Sequence, residues 1–247
     1  MFNGKTKAIT FSFDDGVTQD IRLIEILNTY GLKATFNLSS GRFGDENAFI
    51  QKDGKWVWHD GRTDEPGHVT HYRLPKENIQ AIYQGHEIAA HTINHRRLID
   101  FSDEEVIRQV EEDRLALSDM MGYEVCGMAY PIGDRFVDDR SIELIKNHTG
   151  IRYARCTATT GSFSVPKDLH RLQGTLYPHR NWDVMMETAQ RFLDLETDEP
   201  ALLYIWGHAY EFDMRSDGWE GFEEFCRLIS GKEDIFYGTN KEVLLDR

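Results

Sequence analysis

The means to build disulfides are scarce in this sequence. It holds 3 cysteines, Cys126, Cys156 and Cys226. They are odd in number, far apart and without paired spacing, which argues against a disulfide framework and a thiolate zinc site. Free thiols in a reducing compartment are expected. Long apolar runs are also missing, so no segment is fit to span a bilayer. The N-terminus has no signal-like apolar stretch. With Met1 as the native start, the expected location is cytoplasmic. Positive charge is in deficit: 28 Lys and Arg stand against 42 Asp and Glu, a net charge of −14. Such a surface argues against nucleic acid or an anionic membrane as the main partner. No linker rich in Pro, Gly or Ser appears, and no repeat. Nothing in the sequence sets an oligomeric state.

What is present is ample material for one core. The 247 residues are 40% hydrophobic and 12% aromatic, which suits a single large α/β domain over 1–247. Ile9-Thr10-Phe11-Ser12-Phe13 alternates as a strand does, and Asp14-Asp15-Gly16 follows. A helix is expected over 19–30 and a second strand over 33–38, which together make a parallel βαβ unit. Further strands are expected over 86–90, 127–130, 153–157, 168–175 and 201–206. Between them, helices are expected over 75–84, 103–121, 138–148, 182–195 and 218–229. Ser102 and Glu105 form the capping-box pattern at the start of the longest of these.

The segment 41–74 stands apart. It is rich in Gly, Asp and aromatic residues and carries His59, His68 and His71. It reads as an insertion near the mouth of the domain. Asp53-Gly54 is the expected turn of a hairpin within it, and the insertion is a candidate substrate wall.

Alternating strands and helices favour a distorted (β/α) barrel. In such folds the side chains at the C-terminal ends of strands meet at one mouth. Asp14-Asp15, His91, Tyr130-Pro131 and His208 should therefore converge. Two close carboxylates repel, and a cation relieves that repulsion. His91-Thr92-Ile93-Asn94-His95 places two histidines four apart, a spacing that allows both to reach one metal at a strand-to-helix turn. An aspartate with two histidines suits a zinc-like divalent ion with open positions. The spare aspartate then fits a base and His208 an acid, the two proton-transfer groups that hydrolysis needs. The plain alternatives are surface histidines and, for His208, a core histidine bonded to backbone.

Taken together, these segments resemble the NodB-homology polysaccharide deacetylases, carbohydrate esterase family 4. Thr10-Phe11-Ser12-Phe13-Asp14-Asp15-Gly16 is similar to the family's first motif, and His91-Thr92-x-x-His95 to the second. Ala129-Tyr130-Pro131-Ile132-Gly133 resembles the third, and Tyr204-Ile205-Trp206-Gly207-His208 the last. The resemblance implies a distorted (β/α) barrel and metal-dependent removal of acetyl groups, usually from N-acetylated sugars. It implies Asp15, His91 and His95 as metal ligands, with zinc the expected ion and cobalt, nickel or manganese as alternatives. Asp14 would be the base, His208 would protonate the leaving amine, and the backbone N–H of Ile132 would help hold the oxyanion.

The sequence departs from the family pattern in two places. Many members carry an arginine just before the third-motif proline; here those positions are Ala129 and Tyr130, an Ala-Tyr-Pro variant similar to that of poly-N-acetylglucosamine deacetylases. Arg171 is the expected substitute cation for Asp14. The aspartate that tunes the catalytic histidine has no clear counterpart. Asp183 is one candidate, although a carboxylate at a helix start has a plain role there. Glu211 either orients His208 or a ligand, or faces water. The expected partner is a small acetylated carbohydrate or amine. Trp56, Trp58, Trp206 and Tyr210 are candidate sugar-stacking residues. His71 is placed outside the metal set, so its removal should leave metal content unaltered. Other readings keep the fold: hydrolysis of another amide, of a cyclic amide or imide as in allantoinase-like relatives, or of an acetyl ester. A carbohydrate-binding barrel without catalysis is a further one.

Overall fold

The first strand, β1 (Lys7–Asp14), is buried along its whole length, and its alternating sequence explains what lies on each side. Ile9, Phe11 and Phe13 face one hydrophobic cluster, where Phe11 and Phe13 meet Phe222 edge-on at 6.2 and 6.0 Å. The hydroxyls of Thr10 and Ser12 find polar partners instead. Thr10 Oγ1 donates to Asn240 Oδ1 (3.0 Å), and Ser12 Oγ accepts from Asn37 Nδ2 (2.9 Å). A strand covered on both faces must satisfy its polar groups internally, and here side chains do so.

The computed structural model describes residues 2–178 and 181–246. After β1 come α1 (Asp20–Thr29) and β2 (Ala34–Leu38). An insertion of three strands follows: β3 (Glu46–Lys52), β4 (Lys55–His59) and β5 (Val69–Tyr72). The chain continues through α2 (Ile79–Ile82), β6 (Glu87–Ala90), α3 (Asp103–Met121) and β7 (Gly127–Ala129). Next are α4 (Asp139–His148), β8 (Tyr153–Thr159), β9 (Leu172–Gly174) and α5 (Trp182–Leu193). The last elements are β10 (Ala201–Gly207), α6 (Gly218–Ile229), β11 (Ile235–Tyr237) and α7 (Asn240–Leu244).

The main sheet has 8 strands in the order β10-β1-β2-β6-β7-β8-β9, with β11 also beside β1, and its ladders are parallel. Its two ends approach each other. Just past β9, Leu176 forms a parallel bridge with Ile205 of β10, and the Trp206 N–H donates to the Leu176 carbonyl (3.1 Å). This curled parallel sheet with surrounding helices is the distorted barrel expected from the sequence. Among the described residues no helix is long and apolar enough to cross a membrane.

The insertion is a separate antiparallel sheet, β4-β3-β5. Asp53 (φ 51°) and Gly54 (φ 73°) make the turn between β3 and β4, the left-handed pair that favours a two-residue hairpin. The third strand, β5, is short and flanked by loop residues, and the hairpin signal does not extend to it. The helix expected over 75–84 is broken: a 3₁₀ turn at Lys76–Asn78 precedes the four residues of α2. β11 and α7 lie beyond the last element read from the sequence. α7 nevertheless carries a full capping box between Thr239 and Glu242.

Phe222 sits where α6 meets β1 and touches Phe11, Phe13 and Phe212. Phe222→Ala should cost about 3–5 kcal/mol of folding stability, read as a lowered midpoint in urea denaturation. A loss below about 1 kcal/mol would mean that this cluster does not carry the packing assigned to it.

Candidate active site

The C-terminal ends of the parallel strands bring the expected residues to one cavity of about 1070 Å³. Asp14 closes β1 and Asp15 follows it. His91 follows β6, Tyr130 follows β7 and His208 follows β10. These residues line the cavity together with Ile132, the inner wall of the insertion (Phe49, Trp58, His71, Arg73), and Tyr177, Trp206 and Tyr210.

Asp14 is 2% exposed. Its Oδ1 accepts from Asn37 Nδ2 (2.8 Å), and both of its oxygens receive Nη2 of Arg155. Arg155 is fully buried. It also donates from Nε to Ser12 Oγ (3.2 Å) and from Nη1 to the Cys156 carbonyl (3.1 Å), and its guanidinium lies 4.5 Å from the Trp206 ring centroid. Burial pushes the Asp14 carboxyl up. The Arg155 guanidinium, with His91 and His208 behind it, outweighs burial and holds it below the ordinary carboxylate value.

Arg155, not Arg171, is therefore the cation that faces Asp14. Arg171 lies on the surface, paired with Asp139 and Asp168. Register explains the substitution. Ala129, one of the two positions at which the family resemblance would lead one to expect an arginine, pairs directly with Arg155 across the β7–β8 ladder. From the strand beside that position, Arg155 reaches Asp14. The sequence did contain a signal: an arginine in the middle of a short strand otherwise fit for burial.

Asp15 turns the opposite way, with φ at 83°, a region that non-glycine residues seldom occupy. Its Oδ1 takes Arg73 Nη2 at 2.6 Å and lies 3.4 Å from His95 Nε2, and its Oδ2 lies 3.1 Å from His71 Nε2. Burial again pushes upward, but Arg73, His95 and His71 hold this carboxyl well below its usual range. Gly16 continues the turn (φ 67°), and a Cβ there would come within 2.5 Å of Leu38.

His91 is fixed from two directions. Its backbone N–H donates to Asp113 Oδ2 of α3 (2.9 Å), and its Nδ1 is 2.8 Å from the Ala129 carbonyl. The second contact assigns the proton to Nδ1 and leaves the Nε2 lone pair for the site. The loop to His95 is held by α3 as well, through Ile93 N–H to the Gln109 carbonyl (3.0 Å) and Asn94 N–H to Gln109 Oε1 (3.1 Å). Burial lowers the pKa of both histidines, His95 to about 3, so both imidazoles are neutral near pH 7. The donor atoms of Asp15, His91 and His95 lie within 4.8 Å of one another. One charged carboxylate and two neutral imidazoles form the donor set that a divalent ion of zinc type takes.

His208 stands beside Asp14, its Nε2 3.8 Å from Asp14 Oδ2. Its Nδ1 lies 3.3 Å from Glu211 Oε2, and Glu211 itself receives the Tyr177 hydroxyl and the His208 backbone N–H. Burial alone would lower the His208 pKa. Glu211 first, then Asp14 and Asp15, raise it to about 9. Glu211 is thus the carboxylate beside His208. Asp183 is exposed in the first turn of α5, and its N–H is capped by Asn181. Three-residue spacing put Glu211 in reach, because a 3₁₀ turn over Ala209–Phe212 folds its side chain back. Ile132 is half exposed, with φ at 71°, and is one of the residues that line the cavity. The contacts of Arg73 and His71 with Asp15 had no sequence signal.

Comparison with known proteins shows the family and the fold. The family model described as "Polysaccharide deacetylase" matches residues 3–154, and the chain belongs to that family. No curated protein matches the sequence. Among solved structures, the chain is similar to the Xyl-CE4 domain of a multidomain xylanase from the hindgut metagenome of Trinervitermes trinervoides. That match has 16% identity and a TM-score of 0.59, and covers 97% of this chain and 90% of that one. A CE4 family pseudoenzyme from Bacillus anthracis matches with 16% identity and a TM-score of 0.55, over 97% of this chain and 66% of its own. The Streptococcus pyogenes deacetylase PplD, in complex with acetate, matches with 19% identity and a TM-score of 0.50. The alignment covers 66% of this chain and 61% of that protein. At these identities the likeness is one of fold.

Removing the cation from Asp14 tests the electrostatics of the site. Arg155→Met should cost about 3–5 kcal/mol at neutral pH, because it strands a buried charge. Asp14→Asn in the same chain should recover part of that loss. The gap between Arg155→Met and wild type should narrow in acid. A carboxyl held below its ordinary pKa contributes stability above that value and loses it as pH falls. A double-variant cost equal to the sum of the Arg155→Met and Asp14→Asn costs in denaturant titration would show that the pair is not coupled.

Proposed function

We propose that this protein is a metal-dependent deacetylase acting on an N-acetylated sugar or short oligosaccharide. The observation that carries the reading is the arrangement around Asp14. A three-donor cluster of Asp15, His91 and His95 lines the same cavity, and His208 lies 3.8 Å from Asp14. Binding alone requires neither a base nor an acid, whereas Asp14 and His208 line the same cavity as the donor cluster and would fill those two roles.

A divalent ion, zinc by preference, would be held by Asp15, His91 and His95 and would supply Lewis acidity at the acyl group. Asp14 is ionised at neutral pH and accepts a proton from the attacking water. The water oxygen bonds to the acetyl carbon. The N–H of Ile132 donates to the oxygen on which negative charge develops. His208, protonated at neutral pH, gives its Nε2 proton to the amine as the carbon–nitrogen bond breaks, and acetate and free amine leave. Two groups pushed to opposite sides of neutrality can divide base and acid work in this way. Trp58, 45% exposed on β4, and the stacked pair Phe49–Tyr210 (5.0 Å between centroids) offer apolar faces to sugar rings.

The direct test is release of acetate and amine from a panel of N-acetylated mono- and oligosaccharides, with metal-loaded and chelator-stripped protein. Metal-dependent release of both products is expected. Bound metal without release from any member of the panel would overturn the reading. Asp14→Asn should keep its metal while kcat falls by about 10²–10⁴, and unchanged turnover would remove Asp14 as the base. Glu211→Gln should move the alkaline limb of the kcat/KM profile to lower pH. His208 acts in its protonated form, and loss of the neighbouring charge lets its pKa fall from about 9. An unmoved limb would dissociate Glu211 from His208.

A further inference from the structure

We propose that His71, delivered by the insertion sheet, is a positioning residue that fixes the Asp15 carboxylate as a metal ligand. The inference rests on the metal-site reading above and assigns the insertion a role inside that site, beyond a wall for substrate.

Three observations lead there. First, the end of the insertion is laid along the Asp15 turn by backbone bonds. Thr18 N–H donates to the Tyr72 carbonyl (2.8 Å), Leu74 N–H donates to the Gly16 carbonyl (2.8 Å), and Val17 and Arg73 form an antiparallel bridge. The alternation of residues 71–73 then points His71 and Arg73 to the same side, toward Asp15. Second, both contacts are buried: His71 is 2% exposed and Arg73 5%. The two donors take different oxygens of one carboxylate, which fixes its rotation as well as its place. Third, Asp15 has a left-handed backbone, a conformation that persists only where the surroundings over-determine it.

The His71 ring is itself held among three aromatic rings. Its centroid lies 4.9 Å from Tyr210, 5.1 Å from Trp58 and 5.9 Å from Phe49. The donor is therefore pre-aimed. With Nε2 carrying the proton, it bonds to Oδ2 and leaves Oδ1 toward His95. Hydrogen-bond partners of metal-ligating carboxylates typically carry 10–100-fold in metal affinity. Docking of the insertion does not depend on His71 alone, because Gln19 Nε2 bonds both the Thr70 carbonyl (2.8 Å) and Asp213 Oδ2 (2.9 Å). The expectation from the sequence that metal content is unaltered by removal of His71 is kept at saturating metal, and a loss of affinity is added to it. Metal content at saturation should survive its loss, and affinity should not.

The test separates donation from packing. His71→Phe keeps a ring among the aromatic neighbours and removes the donor, whereas His71→Gln keeps an amide N–H of similar reach. Zinc dissociation constants are measured by competition with a chromophoric chelator, and the visible spectrum of the cobalt-loaded protein reports ligand geometry. His71→Phe should weaken zinc by about tenfold or more and alter the cobalt spectrum, and His71→Gln should restore most of both. Wild-type affinity and spectrum in His71→Phe would overturn the inference and leave the metal site standing. Equal zinc affinity in wild type and Asp15→Ala would instead overturn the metal-site reading and this inference with it. If His71→Phe does not fold, His71→Leu, which also lacks a donor, is read on the same scale.

Discussion

Two adjacent carboxylates buried at the end of one strand are the constraint on which the rest of this structure depends. Asp14 and Asp15 are 2% and 6% exposed, and charges so placed are tolerated only when each has its own compensation. The chain supplies it from two directions. Asp14 is compensated from within the barrel, by Arg155 on β8. Asp15 is compensated from outside the barrel repeat, by Arg73 and His71 at the end of the insertion. The backbone at Asp15 is left-handed (φ 83°), and the two neighbouring side chains serve separate partners.

This separation gives the site its chemical polarity. One side collects neutral imidazoles around a carboxylate, a donor set for a cation. The other side couples Asp14 to His208, and Glu211 adds a second negative charge to the far face of the same ring. The two groups are thereby set on opposite sides of neutrality by different environments, although 3.8 Å separates them. α3 contributes at a distance. Asp113 and Gln109 hold the backbone of 91–95 in the bent path that lets two histidines four residues apart face one point, with Thr92 (φ 65°) and His95 (φ 51°) both left-handed.

The fold was legible because its signals are local. Alternation in β1, the Ser102 cap, the Asp53-Gly54 turn and the apolar run of β10 each depend on neighbours in sequence. Where signals were weaker, expectation and structure part: the helix after Pro75 breaks into short turns, and β5, β11 and α7 lack a period long enough to read.

At the site, the residues that end strands were legible for a geometric reason. Parallel strands deliver their C-terminal residues to one face, so Asp14, Asp15, His91 and His208 could be grouped without knowing any distance. The sequence by itself determined that grouping, together with the alternation that buries phenylalanines on one side of β1 and hydroxyls on the other. Tertiary structure alone decided which cations answer the carboxylates. Arg155 is 141 residues from Asp14, and Arg73 is 58 residues from Asp15. Such pairings follow from register across a ladder and from the path of an insertion, and neither leaves a periodic trace in sequence. Arg171 and Arg155 are both arginines downstream of the third motif. Only the inward direction of one strand position, with the burial that enforces the ion pair, distinguishes them.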